Sequence, residues 1–380
     1  MIYNLSIYII IVVITLALLF SMFPIYIKEG KKRTKMVWYF FIFAFAFVSF
    51  YAEPSISDDL FRHYVDIDNI RFRGVSISSV LFVWQFFEWL VSRTNHNGWL
   101  PFFTIILIGF FIQKIQDEWF IEHPFSIQSA LLGYLSALAG LGIFPIVSGI
   151  RCALVSSMFM YAYFCFYRKK QKRFYIISFM GCFIHTVGIL YFGLILFHNF
   201  VFESKNRTKT LLRVIVIFVC LRFLILSNVI EIIFGYLPGK YGELLLLKWN
   251  SYYGVKFEDR TIGGLGSTLL FLLFVVYIYC ILYLYMKKIS FDSLIVSVIF
   301  IVVLGSGIDI FYDRMVMACG LLGMLLLIEM SNMMKGIKRL LFSWMMILIL
   351  GSEIFYSTYS MCCHIAFNGN HYREFFRTWL

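Results

Sequence analysis

The chain has 380 residues, of which 61% are hydrophobic and only 14% are charged, whereas soluble domains carry roughly 25% charged residues. This composition excludes an ordinary soluble fold, because so much apolar surface cannot be buried inside one, and it predicts a protein embedded in a lipid bilayer. The formal net charge of +12 does not indicate a nucleic-acid partner, because the basic residues stand in short clusters between apolar runs, as in the cytoplasmic loops of membrane proteins.

Apolar runs follow one another along the chain, and they predict an all-α polytopic membrane protein with about 12 transmembrane helices of roughly 20 residues each. We expect a single transmembrane domain that covers residues 1–380. The expected spans lie near residues 2–27, 36–52, 99–115, 126–146, 149–167, 174–188, 189–203, 211–230, 264–286, 293–310, 312–331 and 338–356. We count 174–203 as two short spans broken near Gly188, because a single span would reverse the orientation of everything after it.

Basic clusters follow the first, fifth, seventh, ninth and eleventh expected spans. They lie at residues 28–35, 168–173, 205–213, 287–288 and 335–339. All five fall on one side if the N-terminus is outside, so this side is predicted to be cytoplasmic. The first span lacks a basic region before it and is expected to remain as an anchor. The outer side then holds loops at about 53–98 and 231–263.

The first outer loop contains charges of both signs in the stretch SISDDLFRHYVDIDNIRFR, residues 55–73. Water can solvate these charges on the outer side, so charge alone does not mark a site. The segment that follows, 76–95, places Gln85, Glu88 and Arg93 among aromatic residues. Because it is amphipathic and short for a span, we expect an interfacial or re-entrant helix on the outer face.

Arg151 stands at the outer start of an apolar helix, just after Gly149. A helix N-terminus favours anions, and a guanidinium adds a two-pronged hydrogen-bond donor for phosphate. The alternative is an arginine that extends along the helix to reach the membrane surface.

His185 lies deep in the apolar run SFMGCFIHTVGILYF. A histidine there can accept or donate a proton near neutral pH. The alternative is a structural histidine that hydrogen-bonds to a neighbouring helix, as polar side chains in membranes commonly do.

Asp309, Asp313 and Arg314 surround a tight outer turn between two spans. Asp313 and Arg314 could form an ordinary ion pair, but Arg314 repeats the position of Arg151 at the outer start of a helix. Two such arginines can form one cationic cup. The outer loop 231–263 mixes aromatic and charged residues, which suits sugar rings and membrane interfaces equally.

Several kinds of site are not indicated by the sequence. The eight cysteines are scattered and include no CxxC pair, so we expect no disulfide framework and no metal site. The motifs GxxxxGK[ST], HExxH and GxSxG do not occur, which argues against ATP-driven pumps and the usual hydrolases. No cofactor is expected.

Three segments resemble a known family. The most specific is residues 147–190, where a Gly-x-Arg helix start is followed by a basic loop and then by a helix that ends in a histidine. With SDDLFRHY at 57–64 and YDRMVMACGLL at 312–322, it resembles bacterial polysaccharide polymerases of the Wzy class, in particular the EpsG-like branch. The segments follow in that family's order.

The resemblance implies a GT-C-like glycosyltransferase of the bacterial inner membrane with its active site facing the periplasm or exterior. Such enzymes join undecaprenyl-pyrophosphate-linked repeat units into O-antigen or exopolysaccharide. The growing chain is the donor, its lipid pyrophosphate leaves, and the next lipid-linked unit supplies the accepting hydroxyl. A flippase and a chain-length regulator are the implied partners.

The candidate residues suit that chemistry. Arg151 and Arg314 would hold the leaving pyrophosphate and replace a metal ion, so we expect a metal-independent enzyme. His185 would act as base or phosphate partner, with Asp59 as the other candidate base. The candidate substrate-binding residues are Asp58, Arg62, Tyr64, Asp313, Trp249, Tyr252 and Tyr253. We interpret Asp66 and Asp68 as ordinary surface acids.

Three other functions remain open. A lipid-linked oligosaccharide flippase would also be polytopic and basic, but it should carry charges across both leaflets rather than on one side. An O-antigen ligase shares the donor and differs in the acceptor, and a long late outer loop would favour it. A membrane acyltransferase would need a histidine–acid pair near the cytoplasmic side.

Overall fold

The computed structural model describes residues 30–56, 58–74, 81–202, 263–287 and 309–367, together with four single helical positions between 216 and 236. Most of these residues are helical, because a helix satisfies its backbone hydrogen bonds internally, as lipid requires. The helices are α1 (Gly30–Ser49), α2 (Asp59–Arg73), α3 (Phe82–Ser92), α4 (Trp99–Glu122), α5 (Ile127–Leu141), α6 (Ile143–Val147), α7 (Ile150–Tyr167), α8 (Gln171–Ile184), α9 (Val187–Phe202), α10 (Gly263–Met286), α11 (Asp309–Met333) and α12 (Gly336–His364). The two strands are β1 (Ala52–Pro54) and β2 (Ile365–Phe367).

One end of the helix bundle is rich in lysine and arginine. Lys35 Nζ lies 2.5 Å from Asp117 Oδ1, and Lys170 Nζ lies 2.6 Å from Glu118 Oε1. Arg339, at the start of α12, donates a hydrogen bond to Ser126. We call this the basic end; it consists of residues 30–35, 117–127, 167–173 and 333–339. The basic clusters that follow the first, fifth and eleventh expected spans therefore share one end.

The other end, which we call the far end, carries the short elements. It consists of the described residues within 50–99, 142–151, 184–187, 309–314 and 364–367. Helices α1, α5, α8 and α12 run towards it, and α4, α7, α9 and α11 run away from it. The far end is therefore where several helix N-termini and all the described strands meet.

Helices α5 and α11 pack at the centre of the bundle. Every residue of α5 from Ser129 to Leu141 is buried, which is typical of a helix enclosed by others. A Cβ added to Gly140 of α5 would lie 2.2 Å from the Cα of Gly320 in α11. The two backbones are therefore in direct contact, as small residues allow in membrane helix packing.

Two of the expected spans contain breaks. The run 126–146 is not one helix, because it divides at Gly142, whose φ of +74° favours glycine. Hydropathy does not change across this break, so it escaped prediction. The run 174–203 forms two helices as expected, but they separate at His185 and Thr186 rather than at Gly188.

The expected outer loop 53–98 is largely folded. Its charged stretch forms the helix α2, and the expected amphipathic helix is observed as α3. Helix α3 buries Trp84 and Glu88 and exposes Phe82 and Phe86, so two of its phenylalanines face outwards, as suits a lipid interface.

The fold is mostly helical, as expected, and one pair of three-residue strands accompanies the helices. Strand β1 pairs antiparallel with β2, and Glu53 lies opposite Ala366. This pairing joins the segment after α1 to the end of α12, two parts of the chain that hydropathy does not connect.

Three described helices are long and apolar enough to cross a membrane, namely Trp99–Glu122, Ile150–Tyr167 and Gly336–Met361. Shorter apolar helices accompany them at Ile127–Leu141, Val187–Leu196, Val275–Leu284 and Met317–Met333. The expected spans 2–27, 211–230 and 293–310 lie almost entirely outside the described residues. The helices are those of a membrane protein, and the total of about 12 spans stays a prediction.

Candidate functional site

The site begins at the turn that leads into α2. Asp58 is buried, and its Oδ2 accepts hydrogen bonds from the Ser55 amide at 3.0 Å and from the Ser55 hydroxyl at 2.9 Å. These bonds fix the direction of α2. The helix then buries Leu60, His63 and Ile67, whose spacing places them on one face.

His63 of α2 contacts Glu88 of α3 in the interior of the far end. The imidazole Nδ1 lies 2.8 Å from Glu88 Oε1, and each residue is only 3% exposed. Trp84 Nε1 donates to the same carboxylate oxygen at 2.6 Å and is also directed at His63 Nδ1, 3.3 Å away. Because buried charges persist only with partners, this group of three side chains is a strongly constrained polar cluster.

Arg151 begins α7 and reaches the same cluster. Its Cζ lies 5.9 Å from the centroid of the Trp84 ring, a cation–π contact. Partial burial and the neighbouring Glu88 carboxylate raise the pKa of Asp66, and His63 and Arg151 oppose this rise. The electrostatic coupling connects α2, α3 and α7 in one site.

Asp66 is therefore more than an ordinary surface acid. Its side chain is exposed, yet a carboxylate oxygen lies within 4.8 Å of the ligand atoms of His63 and Glu88. Three such atoms are close enough to bind one metal ion. However, the Trp84 N–H is directed at the two atoms of His63 and Glu88 that the ion would bind, so the geometry favours a hydrogen-bonded pair.

His185 caps the break between α8 and α9. Its Nδ1 accepts a hydrogen bond from the Val187 amide at 3.1 Å, which assigns the ring proton of the neutral imidazole to Nε2. Helices α7 and α8 are antiparallel, and a Cβ on Gly181 would lie 3.8 Å from Val155. This register places His185 at the level of Arg151.

Arg314 belongs to the same end by backbone position. It precedes Gly320 by six residues in α11, which corresponds to about 9 Å along a helix. Gly320 contacts Gly140 shortly before α5 ends at the far end. Asp313 and Arg314 are therefore on the far-end turns of α11, as Arg151 is on the first turn of α7.

The candidate base Asp59, the remaining candidate substrate-binding residues and Asp68, expected as a surface acid, have different positions. Asp59 pairs with Arg62 one helical turn later on the surface of α2. Tyr64 donates from its hydroxyl to the Ala52 carbonyl at 3.2 Å, and its burial raises the pKa of the phenol. Asp68 pairs with Arg71. Trp249, Tyr252 and Tyr253 lie outside the described residues.

The residues that sequence reasoning missed are His63 and Glu88. The spacing of Leu60, His63 and Ile67 fits one helix face and could have identified His63 as buried. Glu88 follows Trp84 by four residues on the inner face of α3. Their contact joins two helices and has no signal in the sequence of either one.

The basic end also contains a histidine–acid pair. His123 Nδ1 lies 2.9 Å from Glu329 Oε2, and the His123 ring stacks on Trp119 with centroids 4.0 Å apart. Both side chains are partly exposed. A membrane acyltransferase would need a pair of this kind on this side, so the position of the pair alone does not exclude that alternative.

Comparison with known proteins identifies one family. A family model described as EpsG family matches residues 79–368, a range that includes Glu88, Arg151, His185 and Arg314. The charged stretch of α2 precedes the match. No curated protein matches the chain, and no solved structure does.

Proposed function

Because the chain belongs to the EpsG family, we propose that it is a polysaccharide polymerase that joins undecaprenyl-pyrophosphate-linked repeat units into O-antigen or exopolysaccharide. The proposal includes a GT-C-like architecture in the bacterial inner membrane and a reaction at the periplasmic or outer face. A flippase that delivers the units and a chain-length regulator are its proposed partners.

One observation supports the proposal independently of the family. Arg151 lies at the first turn of α7 against Trp84, beside Asp66, His63 and Glu88, at the end of the bundle opposite to the basic end. A cation next to groups that can exchange protons is what glycosyl transfer from a pyrophosphate requires. If the basic end is cytoplasmic, as the positive-inside rule predicts, this site faces outwards.

In the proposed reaction Arg151 and Arg314 hold the pyrophosphate that leaves, without a metal ion. His185 donates from Nε2 to a phosphate oxygen, since its Nδ1 is occupied by the Val187 amide. The accessible residues of α2, among them the partly exposed Asp59 and the exposed Arg62, contact the sugar. The aromatic residues Trp249, Tyr252 and Tyr253 complete the proposed sugar-binding surface.

Deletion of the gene tests the function against its rivals. A strain without a polymerase attaches a single repeat unit to its final acceptor, so gel electrophoresis of the surface glycan should show one short band. A strain without a flippase or ligase should show no attached unit. A membrane acyltransferase would leave the chain length unchanged and remove an acyl group instead.

Replacement of Arg151 tests the site. We expect Arg151→Ala to lower the yield of long polymer by about 100-fold or more, because removal of one preorganised charge donor typically costs this much. Arg151→Lys should recover part of it, since it restores the charge but not the two-pronged geometry.

Arg93 provides the matched control. Its Cζ lies 5.2 Å from the Trp89 ring at the same end of the bundle, so Arg93→Ala removes an arginine–tryptophan contact outside the site. Long polymer should persist in this variant. Equal polymer lengths in the Arg151→Ala and Arg93→Ala strains would exclude the proposed role of Arg151.

A further inference from the structure

We propose that His63 accepts the proton of the incoming sugar hydroxyl and that Glu88 is its positioning residue, an inference that rests on the proposed polymerase function. The two side chains come from different short helices and meet in the interior of the far end. The sequence of neither helix predicts this contact.

The hydrogen bonds define the protonation state that such a base needs. A Glu88 carboxylate can only accept, so we place the proton of the 2.8 Å contact on His63 Nδ1; the Trp84 N–H, which is 3.3 Å from Nδ1 and 2.6 Å from the carboxylate, then donates to Glu88 alone. Trp84 donates a second bond to the same oxygen and thereby holds the carboxylate in place. With Nδ1 protonated, Nε2 of the neutral imidazole carries a lone pair and can accept a proton.

Trp84 contacts both the proposed base and the arginine that would hold the leaving group. The His63 ring packs edge-on against the indole with centroids 5.1 Å apart, and the Arg151 guanidinium lies 5.9 Å from the indole centroid. The imidazole and the cation are therefore neighbours of one rigid ring. In the proposal the donor phosphate lies at Arg151 and the attacking hydroxyl lies at His63.

The cluster is connected to solvent through Asp66. This side chain is exposed, although its carboxylate lies within 4.8 Å of the functional atoms of His63 and Glu88. The charged groups that act on Asp66 are Glu88 from α3, His63 and Arg62 from α2, and Arg151 from α7. The acids offset the positive charge that His63 gains when it accepts a proton.

The other candidate bases are less suited by geometry. The Nδ1 of His185 accepts the Val187 amide, so its remaining nitrogen donates. Asp59 pairs with Arg62 on the surface of α2. His63 thus provides the proton acceptor. His185, at the level of Arg151, provides a hydrogen-bond donor.

The acceptor O–H bond breaks, its proton moves to His63 Nε2, and the oxygen forms a bond to the anomeric carbon of the donor. The bond from that carbon to the phosphate oxygen breaks, and its electron pair leaves with the lipid pyrophosphate held by Arg151. The His63 imidazolium then releases its proton to water beside Asp66.

The test compares variants of the full-length protein, reconstituted with the lipid-linked repeat unit isolated from its own host. His63→Gln keeps a neutral hydrogen-bonding side chain and should slow polymerisation at least 100-fold, within the range of general base catalysis. The pH profile of polymerisation should also differ between the wild type and His63→Gln, because the variant lacks the proposed base. Glu88→Gln should also slow the reaction, and Glu88→Asp should restore part of it.

His123→Gln is the matched control, because it breaks the similar His123–Glu329 contact at the basic end and should retain polymerisation. All variants are compared for thermal unfolding, so that a loss of folding is separated from a loss of chemistry. Wild-type rates and pH profile in folded His63→Gln would overturn the proposal while leaving the polymerase function intact. Loss of wild-type activity in EDTA, with recovery in Mn²⁺, would also overturn it in favour of a metal site.

Discussion

Adjacent acids in α2 illustrate how position decides what a charged residue does. Asp58 and Asp59 have the same chemistry and both were candidates for the sugar site. In the structure Asp58 is buried and accepts two hydrogen bonds from Ser55, whereas Asp59 is partly exposed and pairs with Arg62 on the surface. Asp58 therefore stabilises the turn, and Asp59 is the acid that remains accessible to a substrate.

This difference predicts that alanine destabilises the protein more at Asp58 than at Asp59. Asp58→Ala should lower the free energy of unfolding by about 2 kcal/mol, because it removes hydrogen bonds to a charged acceptor and leaves the Ser55 amide without this partner. Asp59→Ala should cost less than about 1 kcal/mol, as surface ion pairs do. Thermal unfolding in one detergent measures both; a more stable Asp58→Ala than Asp59→Ala would refute this assignment.

At the scale of the helix, the glycines of α5 and α11 fix how closely the central elements approach. A Cβ on Gly320 would lie 2.2 Å from the Gly140 Cα, and the obstacle is backbone that cannot rotate away. Gly351 in α12 lies in an equally apolar helix, but a Cβ there would have nothing within 4 Å. Comparison of Gly320→Val with Gly351→Val separates the cost of close packing from the change in helix propensity, because both substitutions replace a helical glycine with valine.

We expect Gly320→Val to destabilise the protein by about 3 kcal/mol or more, at or above the usual cost of overpacking a core. It should also lower polymerisation, because α11 carries Arg314. Gly351→Val should fold and polymerise like the wild type. Size-exclusion profiles and unfolding temperatures in detergent compare the variants, and similar stability of the two would mean that α5 and α11 are not in contact.

The sequence predicted the long helices well and the short ones less well. Apolar runs such as the one that forms α7 were located to within a few residues because lipid requires length and hydropathy together. The break at Gly142 was missed because the run remains apolar on both sides of it. Helix α2 replaces the expected loop, because its apolar signal is confined to one narrow face that contains Leu60 and Ile67 beside His63.

The candidate site could be predicted only in part, because a sequence shows signals within one segment and not contacts between segments. Arg151 and His185 stand out as polar residues in apolar runs, which is a signal within one segment. The contact of His63 with Glu88 depends on how α2 packs on α3, across residues that no periodicity relates. The stacking of Arg151 on Trp84 likewise arises only when α7 and α3 meet.

At the scale of the whole molecule, charge divides the bundle into two unlike ends. The basic end neutralises its lysines and arginines with acids on α4, such as Glu118 with Lys170 and Arg168. The far end is closed by the β1–β2 pairing and contains the cluster of His63, Glu88 and Arg151. If positive charge remains in the cytoplasm, the two ends lie on opposite sides of the membrane.

Single cysteines test this orientation in living cells. Ile56 at the far end is 82% exposed, and Lys338 at the basic end is also exposed. A membrane-impermeant maleimide applied to intact spheroplasts should label Ile56→Cys and leave Lys338→Cys unlabelled, because only the outer side is accessible to it. Lys338→Cys should react once the cells are lysed, and the unsubstituted protein gives the background from its own cysteines. Labelling of Lys338→Cys before lysis, with Ile56→Cys protected, would invert the topology and place the Arg151 site in the cytoplasm, where a polymerase of outward-facing repeat units cannot work.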